Sequence, residues 1–187
     1  PGTRETAMLS PTFMVCEINA IMLTGGSAFG LRTADGAMRY LSENGIGFQT
    51  PEAVIPIVPA AVIYDMYTNR DPELPDVNMG YQACINAGKD FKEGQVGVGT
   101  GAKVGKILGL SHSMQGGIAT AGKKLANDVT VAALAVVNAL GDVIDPATGI
   151  ITAGARNPET KQFVDSYQHI CSHGFAAVSA AGNTTLA

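Results

Sequence analysis

Residues 20–24 form a short apolar run that ends in Gly25-Gly26, the pattern of a buried strand closed by a turn. Beyond it, Phe29, Leu31, Ala34, Ala37, Met38 and Leu41 recur at helical spacing. They predict a helix over residues 28–42, with Ser27 as its N-cap and Asn44-Gly45 as its stop. Residues 54–64 are apolar and β-branched but contain Pro56 and Pro59. Proline cannot donate to a ladder, so this is an interrupted or edge strand. Residues 69–75 are polar and proline-containing, a loop, and residues 79–87 read as a helix ending at Gly88. Residues 95–101 and 116–121 mix glycine with small or β-branched side chains, which lets another backbone come close. Residues 129–138 are almost wholly apolar until Asn138 and form the clearest strand. A turn over residues 141–149 leads to a strand at 150–153, and residues 161–170 show no usable period. The last small apolar run, residues 175–181, enters Gly182-Asn183-Thr184-Thr185.

Strands and helices interleave without a repeat, a low-complexity stretch or a linker, so the pattern predicts one α/β domain spanning residues 1–187. Composition agrees with a packed core: 46% of residues are hydrophobic and only 15% charged. The net charge of −4 and scattered basic residues argue against a nucleic-acid partner. No apolar run is long enough to cross a bilayer as a helix, so no membrane partner is expected. Cys16, Cys84 and Cys171 are widely spaced and no histidine lies beside a cysteine pair. No metal and no cofactor is therefore expected, and a reducing, cytoplasmic compartment is. The chain begins with Pro rather than Met, which leaves export open.

Three candidate motifs fail on their own chemistry. The segment 97–106 invites a phosphate-loop reading, but Thr100 stands where the first glycine is needed and Ile107 where Ser or Thr is needed. Gly25-Gly-Ser-Ala-Phe29 approximates a nucleophile elbow, with Phe29 in place of the second glycine. Asp142 and Asp145 flank a turn, and turn chemistry accounts for them more simply than an acid–base pair.

Four segments carry a likeness in order along the chain. They are LTGGSAFGLRTADGAMRYL at 23–41, IVPAAVIYDM at 57–66, GQVGVGTGAKVGK at 94–106 and AGNTTLA at 181–187. PGTRET at the start and AALAVVNALGDV at 132–143 agree with them. Taken together they resemble the DmpA-type self-processing aminopeptidases and amidases, peptidase family S58, which includes β-peptidyl aminopeptidases and the nylon-oligomer hydrolase. The resemblance implies a four-layer αββα sandwich of the N-terminal-nucleophile type. It implies a precursor that cuts itself after Asn183, leaving Thr184 as the N-terminal nucleophile of a small subunit. A large-subunit portion would then end at Asn183, with further chain beyond residue 187 carrying other site groups. Expected partners are a small peptide or amide substrate, the chain's own C-terminal small subunit, and like protomers in a tetramer or larger ring.

The same resemblance assigns helpers. Tyr64 would hydrogen-bond the substrate carbonyl or oxyanion, Asn138 would donate to the oxyanion, and Lys106 would lower the pKa of the hydroxyl or amine by its charge. Lys103 is the second lysine of that segment. Each has a plain reading beside it: an aromatic at a strand end, a strand-end cap, a solvated lysine, and for Gly-Asn-Thr-Thr an ordinary turn. A catalytically silent member serving as a binding or structural protein is the alternative function, and a phosphate-binding α/β module a third.

Overall fold

The computed structural model describes residues 2–15, 17–66, 73–90 and 92–174. The chain divides into two compact units, residues 1–91 and 92–187, each mixing helix and strand. The expectation of an α/β protein is met at that level.

In the first unit, β1 (Thr3–Arg4), β2 (Met22–Thr24) and β5 (Ala60–Val62) form a three-stranded sheet in the order β1-β5-β2. Strands β2 and β5 run parallel, with Leu23 opposite Ala61, and β1 pairs antiparallel to β5. The run at 54–64 is interrupted as its prolines require: β4 (Val54–Ile55) pairs with β3 (Phe48–Gln49), and β5 resumes only after Pro59.

The helix expected over 28–42 starts as a 3-10 turn, Ser27–Arg32, and becomes α-helical as α1 (Thr33–Glu43). Ser27 is not its cap. The capping position falls on Gly26, Ser27 has a positive φ of 53°, and its backbone N–H donates to Ile63 O at 3.0 Å. The stop is as expected, with Asn44 at the C-cap and Gly45 left-handed at φ 70°. Helix α2 (Val77–Ile85) begins earlier than periodicity suggests because Asp76 caps it, accepting from Met79 N at 2.8 Å. The two helices cross at Gly36 and Gly80. A side chain at Gly36 would strike the Val77 carbonyl, and one at Gly80 the Thr33 carbonyl. The apolar face of α1 (Ala34, Ala37, Leu41) packs with Val58 and Ala60 to make this unit's core. Burying each larger side chain there contributes roughly 1.5–3 kcal/mol.

The second unit is built from antiparallel pairs: β6 (Lys103–Val104) with β7 (Met114–Gln115), β8 (Gly117–Lys124) with β9 (Thr130–Val137), and β10 (Val143–Ile144) with β11 (Ile151–Ala153). The apolar stretch at 129–138 is a strand, but it is not buried throughout. Residues 130–134 of β9 are exposed, and only Val136 is completely buried. The glycines at 95–101 do admit another backbone. They form a 3-10 turn, Gly97–Gly101, and a Cβ on Gly99 would lie 2.8 Å from Ile118 N. Helix α3 (Ser166–His173) lies where periodicity fails. Its signal is a cap: Asp165 accepts from Gln168 N at 2.9 Å. Among the described residues no helix is long and apolar enough to cross a membrane.

Candidate functional site

The second unit holds a buried polar cluster at the end of β9. Asn138 immediately follows that strand, and both it and Lys106 are almost completely buried, at 0% and 1% exposure. The Lys106 ammonium donates to Asn138 O at 2.8 Å and to Asn138 Oδ1 at 3.1 Å. The same Oδ1 accepts from Lys103 N at 2.9 Å. With Oδ1 receiving two donors, the amide's orientation follows, and Nδ2 is its donor end. Asn138 thus bonds across to the 103–106 segment.

Local backbone geometry brings these groups together. Residues 105–106 run beside residues 140–141, with Gly105 N donating to Gly141 O at 2.9 Å and Lys106 N to Leu140 O at 2.7 Å. Gly105 has φ 68°, and a Cβ there would collide with the backbone at Gly154 and Ala155. Only glycine meets both demands, so the spacing Lys103-Val-Gly-Lys106 has a steric origin. Burial opposes the charged form of Lys106 and pulls its pKa down to about 8 from the ordinary 10.5. The lysine is buried, so its solvated-surface reading does not survive. Lys103 enters the cluster through its backbone N–H.

Asp142, read from sequence as a turn former, lies just beyond this stretch. Its Oδ2 accepts from Ser166 N at 2.7 Å and its Oδ1 from Ser166 Oγ at 2.8 Å. Asp145 does form the expected turn, accepting from Ala147 N at 2.8 Å. That N–H, together with the Thr148 hydroxyl, lowers its pKa.

Tyr64 belongs to the first unit, two residues past β5, and is 43% exposed. It lies at the carboxyl end of the parallel β2–β5 pair, where open α/β sheets commonly hold ligands. Its neighbour Asp65 accepts from Gly26 N at 2.7 Å, tying the loop after β5 to the Gly25-Gly26 turn after β2. Sequence reading did not single out Asp65, whose signal is the glycine pair that admits a carboxylate. Asn183 and Thr184 lie outside the described residues. Among the described residues no group of three His, Cys, Asp or Glu side chains is arranged to hold a metal ion.

A family model described as peptidase family S58 matches residues 1–163. The chain is 47% identical over 150 residues to an uncharacterized aminopeptidase of Mycobacterium tuberculosis (strain ATCC 25618 / H37Rv), covering 80% of this chain and 42% of the relative. A corresponding aminopeptidase of Mycobacterium leprae (strain TN) is 44% identical over 154 residues, covering 80% and 42%. The 6-aminohexanoate-oligomer endohydrolase of Kocuria sp. (strain KY2) is 31% identical over 171 residues, covering 90% and 47%. The chain therefore spans less than half the length of each of these relatives. With the matched model covering most of its length, this chain belongs to peptidase family S58.

Proposed function

We propose that this chain is part of a self-activating amidohydrolase that cuts the Asn183–Thr184 bond and then uses Thr184 to hydrolyse short peptides or other small amides. The observation that carries this reading is the buried pair of Lys106 and Asn138, a cation and a carboxamide held together in a family S58 chain. Burying an ammonium is costly and survives selection most readily where its charge has work to do.

In the first step the Thr184 hydroxyl oxygen attacks the Asn183 carbonyl carbon. The C–N bond breaks, the proton passes to the departing nitrogen, and an ester forms. Water opens the ester and frees the Thr184 α-amine. Free α-amines ordinarily titrate at pH ~8, so this one serves as the base for its own hydroxyl near neutral pH. The hydroxyl then attacks a substrate amide, the amine portion leaves with the proton, and water releases the acyl group. Asn138 Nδ2 donates to the developing oxyanion, and the Lys106 charge favours the ionised hydroxyl. Tyr64 supplies a phenol to the substrate carbonyl, a role that rests on the likeness of segment 57–66. The reading carries with it a single four-layer αββα domain completed by the C-terminal small subunit, processed protomers in a tetramer or larger ring, a cytoplasmic setting, and no cofactor.

The test is intact-mass analysis of the full-length protein with N-terminal sequencing of every chain. A second chain beginning Thr-Thr-Leu-Ala is expected, and Thr184→Ala should remain uncut and inactive. Normal processing of that variant would remove Thr184 from the mechanism. A single uncut and inactive wild-type chain would instead favour a silent homologue.

A further inference from the structure

We propose that Asp142 is a positioning residue for Lys106 and Asn138, acting as a clamp between the stretch 138–142 and the start of α3. The inference rests on the proposed function above for its kinetic consequences, while its structural part stands on the geometry alone.

Within four residues, 138–141, three carbonyls serve the Gly105-Lys106 dipeptide. Asn138 O takes the Lys106 ammonium, Leu140 O its backbone N–H, and Gly141 O the N–H of Gly105. The next residue is Asp142, and both of its carboxylate oxygens are spent on Ser166. Ser166 is only 4% exposed, so these charge-assisted bonds are sheltered from water and well defined. Gly154, where a Cβ would crowd Asp142 Oδ1, keeps the space open for the carboxylate.

Helix α3 has a cap of its own in Asp165. The Asp142 bonds are therefore a tertiary tie between two segments distant in sequence. Without them the stretch would lose its anchor immediately after the carbonyls that hold Lys106. Small displacements of catalytic groups are expensive: about 1 Å can cost roughly a hundredfold in rate.

The test compares Asp142→Asn, Ser166→Ala and the double variant in the full-length protein. Two readouts are needed: amide hydrogen exchange at Gly105 and Lys106, and the rates of self-cleavage and hydrolysis. Asp142→Asn is expected to speed exchange at those two amides by about tenfold, leaving amides of the first unit unchanged. It is expected to lower kcat by about tenfold with KM within about twofold. The double variant should be no slower than Asp142→Asn alone, because both changes break one tie. If Asp142→Asn does not fold, Ser166→Ala, which removes one bond of the two, carries the same comparison at smaller amplitude. Wild-type exchange at Gly105 and Lys106 in a folded variant overturns the clamp. So does accelerated exchange with unchanged kcat, which would reduce Asp142 to a stabilising contact. A wild-type chain that never cuts itself overturns the functional reading instead, and the exchange result still decides the clamp.

Discussion

The two units solve the placement of a polar side chain in opposite ways. Tyr64 follows the end of a parallel strand pair and remains 43% exposed, and its neighbour Asp65 ties that loop to the Gly25-Gly26 turn. Lys106 and Asn138 are enclosed and fixed directly by their own hydrogen bonds. A half-exposed tyrosine stays within reach of water, which can take over part of what a side-chain change removes. A buried ammonium has no such alternative. Its pKa falls to about 8, and removing one of its acceptors takes a hydrogen bond from a charged group in a low-dielectric interior. The second unit therefore holds the more enclosed polar cluster, and in the proposed function stability and activity would depend on the same bonds.

The sharpest way to break this contrast is Asn138→Ala. Lys103 N and the Lys106 ammonium would both lose the Oδ1 acceptor. We expect turnover to fall by about a hundredfold or more and stability by about 3 kcal/mol, read by steady-state kinetics and denaturant melts. An unchanged rate in a folded variant would make Asn138 a structural residue only.

The charge on Lys106 gives the next effect. Its folded pKa of about 8 lies below the ordinary 10.5, so between these values the unfolded chain holds more protons. Stability should therefore rise with pH across that window, with the burden of the buried charge fully present below about pH 8. Lys106→Met should remove that rise, seen as the difference between the Tm–pH curves of wild type and variant. If the charged form serves the reaction, self-cleavage should decline above about pH 8 in the wild type, and slow maturation in Lys106→Met should no longer show that limb. A wild-type maturation rate in this variant would dissociate the lysine from the chemistry.

Tyr64→Phe should have the smallest effect. One hydroxyl on a half-exposed residue contributes about 1 kcal/mol, so kcat/KM should fall no more than about tenfold, with a smaller loss of Tm than in Asn138→Ala. A loss as large as that of Asn138→Ala would erase the contrast and give the exposed phenol equal standing.

Much of the architecture was legible because it depends on near neighbours. The α1 periodicity, the Asn44-Gly45 stop, the interruption of 54–64 by its prolines and the close approach at Gly99 all follow from local sterics. Helix α3 was missed because its apolar period is poor, although Asp165 and Gln168 mark its start. The capping role given to Ser27 failed because Gly26, left-handed at φ 77°, occupies the cap and turns Ser27 into the first helical residue.

For the candidate site, the sequence determined the ordered motifs whose likeness to a known family singled out Tyr64, Lys106 and Asn138, with Asn183 and Thr184. It also determined that glycine stands beside Lys106. Only the tertiary structure decided that Lys106 is buried, that Asn138 holds it, and that Asp142 grips Ser166 rather than merely shaping a turn. Burial and long-range hydrogen bonds join residues 24 to 35 positions apart. A local pattern names the partners of a turn or a helix. It cannot report which distant carbonyl will meet an ammonium once water has been excluded.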